Sequence, residues 1–152
     1  MDAGLSWTPL VLDALSFAFV LALVALGLVI IFGLMGVINL AHGVLFMLGG
    51  YGVVFAMERG ASFWLATLLA TVAVGVLGAA IEWIVIRRLA SRPLDTILAT
   101  WGVAIVLQQT AVLTFGPRSR SVSLPTDAVV MLAGFQYPAY RLQLTAVAAL
   151  VL

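Results

Sequence analysis

The sequence predicts an all-α fold, a polytopic bundle of membrane-spanning helices with a glycine-rich broken helix pair near its start. Three observations predict it. Of 152 residues, 64% are hydrophobic and 9% charged, whereas soluble domains are about 45–50% apolar and about 25% charged. The charged side chains sit in short clusters separated by long uncharged runs. Seven of the fourteen glycines, Gly27, Gly33, Gly36, Gly43, Gly49, Gly50 and Gly52, fall inside or beside the middle of the longest such run.

That run, Ala14 to Met57, is 44 residues long. As helix it would reach roughly 66 Å, about twice a hydrocarbon core of roughly 30 Å. It therefore predicts two crossings, over about 14–37 and 43–57. The stretch preceding it holds Asp2 and Asp13 and no Lys or Arg. A secretory leader has a basic start and an apolar stretch of about 7 to 15 residues, so a retained first helix is expected. Glu58, Arg59 and Gly60 make a tight turn.

The next two uncharged runs, Gly60 to Ile81 and Thr96 to Pro117, are 22 residues each, the length of one crossing. They place helices at about 60–86 and 94–116. Between them Arg87, Arg88, Arg92 and Pro93 close one helix and break the chain, because proline lacks an amide donor and disfavours helical geometry at the residue before it. Phe115-Gly116-Pro117 stops the fourth helix, and Arg118 to Asp127 reads as a polar loop. Tyr137, Pro138, Tyr140 and Arg141 read as an interfacial anchor before a last apolar run. That run, an incomplete span from about 139, has 11 residues from Leu142 to Leu152. The expectation is a chain cut within a helix.

Composition also excludes chemistries. With no cysteine there is no disulfide or thiolate. With no lysine there is no G-x-x-x-x-G-K-[ST] phosphate loop. A lone histidine, His42, cannot form an H-E-x-x-H zinc site, and no metal site is expected. A net charge of +1 gives no footprint for nucleic acid.

The polar groups of the first run are Asn39 and His42, in GVINLAHG at residues 36–43. Polar groups at membrane depth face protein or a watery cavity, and glycine-interrupted apolar segments point to discontinuous helices that expose backbone to solute. On that reading Asn39, His42 and Gly43 line a substrate pathway. On the alternative the segment is a turn with Asn39 as a cap, or its glycines permit close packing. Gly33, Gly36, Gly49 and Gly50 are break or packing positions, and Gly75, Gly78 and Ala79 give the third helix a small-residue face. Glu82 reads as an interfacial acid one turn before the arginines. In the fourth helix Trp101 and Gln108 share a face, being seven apart. They would offer a stacking surface and an amide, while Gln108 and Gln109 also suit interhelical hydrogen bonds.

Three stretches together resemble a known family: VIIFGLMGVINLAHGVLFMLGGY (29–51), IEWIVIRRLASRPLDTILATWGVAIVLQQ (81–109) and FGPRSRSVSLP (115–125). They look like the N-terminal half of the LivH-type permease of bacterial ABC importers, which take up branched-chain amino acids or urea and short amides. The resemblance covers roughly residues 15–150, and makes residues 1–152 part of one transmembrane permease domain.

It implies a multi-pass protein of the bacterial inner membrane that pairs with a second, LivM-type permease. Two separate ATP-binding subunits carry ATP and Mg, so this chain holds no cofactor, and an extracytoplasmic binding protein delivers solute. It also implies that the Arg87–Arg92 turn is cytoplasmic and the N-terminus extracytoplasmic. The pattern at Glu82, Val85 to Arg87 and Ala99 to Gly102 leans toward urea-transporting members. Such permeases are substantially longer, so this chain is not expected to transport alone. A passive channel or an assembly subunit without solute contact is the competing class. An intramembrane protease lacks any G-x-S-G near His42.

Overall fold

A computed structural model of the chain describes residues 7–118, 120, 122, 128–132 and 135–152. Most of the Arg118–Asp127 loop, and Asp2 of the acidic N-terminal stretch, lie outside the described residues. The described elements are helices α1 (Trp7–Met35), α2 (His42–Glu58), α3 (Phe63–Leu89) and α4 (Pro93–Phe115), a hairpin of β1 (Val129–Leu132) and β2 (Phe135–Pro138), and α5 (Ala139–Val151). Three of the helices, over Pro9–Met35, Phe63–Leu89 and Pro93–Phe115, are long and apolar enough to cross a membrane. At 17 residues α2 is about 25 Å long, shorter than a hydrocarbon core. The protein is an all-α membrane protein with one short antiparallel hairpin, in the register Val130 to Tyr137 and Met131 to Gln136.

That hairpin departs from the sequence reading, which had Tyr137 and Pro138 in an interfacial anchor. Valines at 129 and 130 and aromatics at 135 and 137 suit paired strands, and two short strands meet their backbone needs by pairing.

The chain divides into two compact units, residues 28–123 and residues 1–27 with 124–152. In the first, α2 and α3 form an antiparallel pair. Their turn is closed by a Schellman arrangement: Gly60, at φ +88°, donates its N–H to the Met57 carbonyl at 2.9 Å, and Ala61 donates to Ala56 at 3.1 Å. Ser62 then caps α3, its Oγ accepting the Leu65 N–H at 3.5 Å. Small residues set the approach of the two helices. A methyl added at Gly52 would lie 3.1 Å from the Ala70 Cβ, and Ala66 and Ala70, one turn apart, are buried. One at Gly78 would make ordinary contact with Leu45, 3.9 Å away.

Near its end α3 widens. Residues Glu82–Ile86 are π-helical, the Arg87 N–H bonding to the Glu82 carbonyl five residues back. In an α-helix residues five apart diverge by about 140°, whereas the wider π turn, bonded i to i+5, brings them closer to one face. The Arg87 side chain therefore reaches Glu82 with two parallel bonds, 3.2 and 3.3 Å. Beyond Leu89 the chain reverses into α4, with Pro93 in the first turn where its missing N–H costs nothing. The fully buried Thr96 clamps this reversal: its hydroxyl lies 2.6 Å from the Leu89 carbonyl and 3.0 Å from that of Arg92.

Outward-facing threonines meet their own needs. Thr67, Thr71, Thr110 and Thr114 each donate to the carbonyl four residues back, at 2.7–2.8 Å. Leu69, Val72, Val76 and Leu113 are exposed, a surface suited to acyl chains and unusual for a soluble protein.

Candidate functional site

The chain leaves helical geometry between Met35 and His42. Gly36 stops α1: its N–H still reaches the Phe32 carbonyl at 2.8 Å, but its φ is +64°. From there the backbone is non-helical as far as a turn at Leu40 and Ala41, where Ala41 is already at φ −77° and ψ −8°, and burial alternates. Val37, Asn39 and Ala41 are buried, while Gly36, Ile38 and Leu40 are exposed. Val37 packs with Ile81, just before the π-helical stretch, and Ile86, at its end, against Met35, Leu45, Leu77, Val103 and Leu107.

Two side-chain oxygens hold this segment. The Asn39 Oδ1 accepts the Ala41 N–H at 2.9 Å, while the Asn39 carbonyl accepts the His42 N–H at 3.3 Å. The second is Thr100 Oγ1 of α4, which accepts the Leu40 N–H at 3.2 Å. Its proton goes to the Ile97 carbonyl at 3.1 Å, so the oxygen faces the segment as an acceptor. Thr100 lies seven residues, about 10 Å of rise, beyond Pro93. The non-helical backbone thus packs well along α4 rather than at the arginine turn. Within lipid, open backbone is tolerated where protein buries it or a cavity adjoins it.

In the sequence Thr100 stood only within the Ala99–Gly102 pattern, with nothing to connect it with the break. The signal was present: Thr96, Thr100 and Ala104 are four apart and form the buried face of α4 with Ala111. A row of hydroxyls on the small-residue side of an apolar helix marks the face that meets another backbone.

The remaining predicted positions distribute as follows. His42 opens α2 and is half-buried, and Gly43 is exposed. Trp101 is 56% exposed and Gln108 is exposed; both lie on the outer side of α4, so this chain does not bring them to the buried Asn39. At Gly33, Gly43, Gly49, Gly50 and Gly75 an added methyl would meet nothing within 4 Å. The close helix contact lies instead at Gly52, because the α2–α3 register sets that residue opposite Ala70. Arg87 pairs with Glu82, Arg92 lies 3.7 Å from Asp95, and Arg88 is exposed.

Gly36 gives a direct test of the break. A methyl there meets no atom, so Gly36→Ala acts through backbone conformation alone. Its left-handed φ should cost about 1–2 kcal/mol, read as a lower melting temperature of the full-length protein in detergent. Gly33→Ala, inside α1, should leave it unchanged or raise it; equal shifts in both would contradict this account.

A second polar cluster lies in the unit of residues 1–27 and 124–152. Asp13 of α1 accepts hydrogen bonds on the same oxygen, Oδ1, from the Tyr137 hydroxyl at 2.9 Å and from Arg141 of α5. Tyr137 is buried and lies 3.4 Å from the Ser16 hydroxyl. Thr145 donates to the Arg141 carbonyl at 2.7 Å and sits 2.7 Å from Ser16 Oγ. Asp13, Ser16, Phe17, Val20, Tyr140, Arg141 and Leu144 line a cleft of about 400 Å³. The sequence placed Asp13 in an acidic N-terminal stretch and Arg141 in an interfacial anchor, and with 128 residues between them nothing local joined the two.

Residues 10–152 match the family model described as the branched-chain amino acid transport system permease component. The chain belongs to this permease family. Curated relatives include the high-affinity branched-chain amino acid transport system permease protein LivH of Salmonella typhimurium (strain LT2), 34% identical over 116 residues. The LivH protein of Escherichia coli (strain K12) is 33% identical over 119 residues. Each alignment covers 69% of this chain and 37% of the relative, so the chain spans well under half the length of the permeases it matches. No solved structure matches it. Family and helices together make this a multi-pass membrane protein of the LivH type.

Proposed function

We propose that this chain forms part of the membrane permease of an ATP-driven importer for small polar solutes, with branched-chain amino acids as the first candidates and urea or short amides as the second. The observation that carries the reading is the family match over residues 10–152. The substrate named for the curated relatives, branched-chain amino acids, supports the first solute class. The Glu82, Val85–Arg87 and Ala99–Gly102 pattern supports the second.

In this reading the chain sits in the bacterial inner membrane beside a second, LivM-type permease. Two ATP-binding subunits bind ATP and Mg at the cytoplasmic face, where the Arg87–Arg92 turn lies, and an extracytoplasmic binding protein delivers solute on the side of the N-terminus. ATP turnover drives the helices between outward- and inward-facing states. The segment 36–41, held by a few hydrogen bonds rather than a helical ladder, is the element able to change shape at low cost.

The assembled full-length system in proteoliposomes should take up leucine or urea with ATP and stop with vanadate. Uptake indifferent to ATP would leave a passive channel instead. Within that assay, Asn39→Leu removes the Ala41 cap and His42→Leu the imidazole. Each should lower uptake about five- to tenfold, the factor that about 1–1.4 kcal/mol commands, with insertion and assembly intact. Asn39→Asp, which keeps an acceptor oxygen, should retain more uptake than Asn39→Leu. Normal uptake in both leucine variants would remove the segment from the transport path.

A further inference from the structure

We propose that the cleft between α1 and α5 in the unit of residues 1–27 and 124–152 is a binding site for a zwitterionic aliphatic α-amino acid. Asp13 receives its ammonium group and Arg141 its carboxylate. The proposal rests on the permease reading above and assigns it a solute station.

The chemistry follows from what lines the cleft. One rim carries a carboxylate and a guanidinium, whose side chains are 48% and 41% exposed, open enough to meet a ligand. The ionised carboxylate can accept about four hydrogen bonds and the guanidinium can donate five, so each retains capacity beyond their mutual contact. Below them Phe17, Val20 and Leu144 supply an apolar wall. Opposite charges side by side above an apolar wall match the two ends and the aliphatic side chain of one small molecule. The volume, about 400 Å³, falls among small-molecule sites.

The charges are also held in place beforehand. Buried Tyr137 fixes the Asp13 carboxylate through its hydroxyl, and Thr145 ties the first turn of α5 to Ser16. Asp13 lies one turn inside the start of the 27-residue apolar segment Pro9–Met35, so the charged rim stands at the end of that segment, with Phe17 and Val20 of the apolar wall further along it. A static bridge between two helices would account for the ion pair. It would not account for the open cleft that both charges line.

The test uses the purified full-length permease assembly without its binding protein, and equilibrium binding of tritiated L-leucine. L-Leucinol, which lacks the carboxylate, and 4-methylpentanoate, which lacks the amine, should compete about tenfold or more weakly than leucine. Asp13→Asn and Arg141→Gln should each weaken leucine binding by a similar factor. The exchange Asp13→Arg with Arg141→Asp restores an ion pair but reverses the charges relative to Tyr137 and the apolar wall, so binding should not recover. Recovery in the exchange variant would show a structural latch and overturn the site. So would competition by either analogue as strong as leucine's own, or leucine binding unaltered in the single variants. An assembly that moves urea and binds no leucine would fail the amino-acid reading itself, and the site with it.

Discussion

Replacing Thr100 by valine should destabilise the full-length permease by about 1–3 kcal/mol, although the side chain keeps its shape. The reason lies across the interface. Thr100 Oγ1 accepts the Leu40 N–H at 3.2 Å, and Leu40 lies where the backbone has no helical partner to offer. Valine removes the acceptor and leaves the amide unpaired, and the cost is the desolvation penalty of that group rather than the modest net value of a bond. Bilayer surroundings supply no water to substitute. Thr100→Ser keeps the oxygen and should lose less than half as much. Melting temperatures in detergent, together with ATP-dependent uptake, check this. A valine variant indistinguishable from the serine variant in both would refute the pinning role.

Gly52→Leu should be the second large effect. Its Cβ alone would stand 3.1 Å from the Ala70 Cβ and 3.5 Å from the Ala70 Cα. The obstacle is a helix backbone, which cannot swing aside as a long side chain can, so the further carbons of leucine must force α2 and α3 apart. Overpacking of this kind costs about 1–3 kcal/mol. Gly52→Ala is the informative contrast: about 1 kcal/mol of helix propensity is gained against a few tenths of an ångström of crowding, and the outcome should be near neutral. Adding Ala70→Gly should recover part of the leucine defect, a coupling that a double-mutant cycle reads directly. Additive effects would place the leucine's cost elsewhere.

The arginine turn illustrates what sequence alone could and could not deliver. Pro93 marked the helix break because a missing amide is a local property. The π-helical stretch before it was not legible, since nothing in Glu-Trp-Ile-Val-Ile distinguishes five residues per hydrogen-bonded ring from four. Only the packing of Ile81 and Ile86 on Val37, together with the Glu82–Arg87 pair, reveals the register. The hairpin at 129–138 was missed for a related reason: four-residue strands beside an apolar helix carry too little periodicity to separate from an interfacial anchor.

The candidate site divides the same way. Asn39 and the glycine-rich break could be read from the chain because polar groups inside a 44-residue uncharged run stand out by contrast. The partner that holds the break, 60 residues away, could not. Thr100 is one of several threonines in apolar helices, and like the others it gives its proton to a carbonyl of its own helix. What distinguishes it is the backbone lying opposite, which no local pattern encodes.

By itself, then, the sequence determined that this is a helical membrane protein, that these 152 residues hold no lysine for a G-x-x-x-x-G-K-[ST] phosphate loop, and that it is of the LivH permease type. Charge spacing, apolar run lengths and the missing lysine are properties of the chain in any conformation. Tertiary structure alone decided which small residue lets α2 meet α3, which hydroxyl receives the Leu40 amide, and that Asp13 and Arg141 share a cleft. Those facts depend on the registers in which distant segments pack. Register is set by many weak contacts acting together, and no single stretch of sequence contains it.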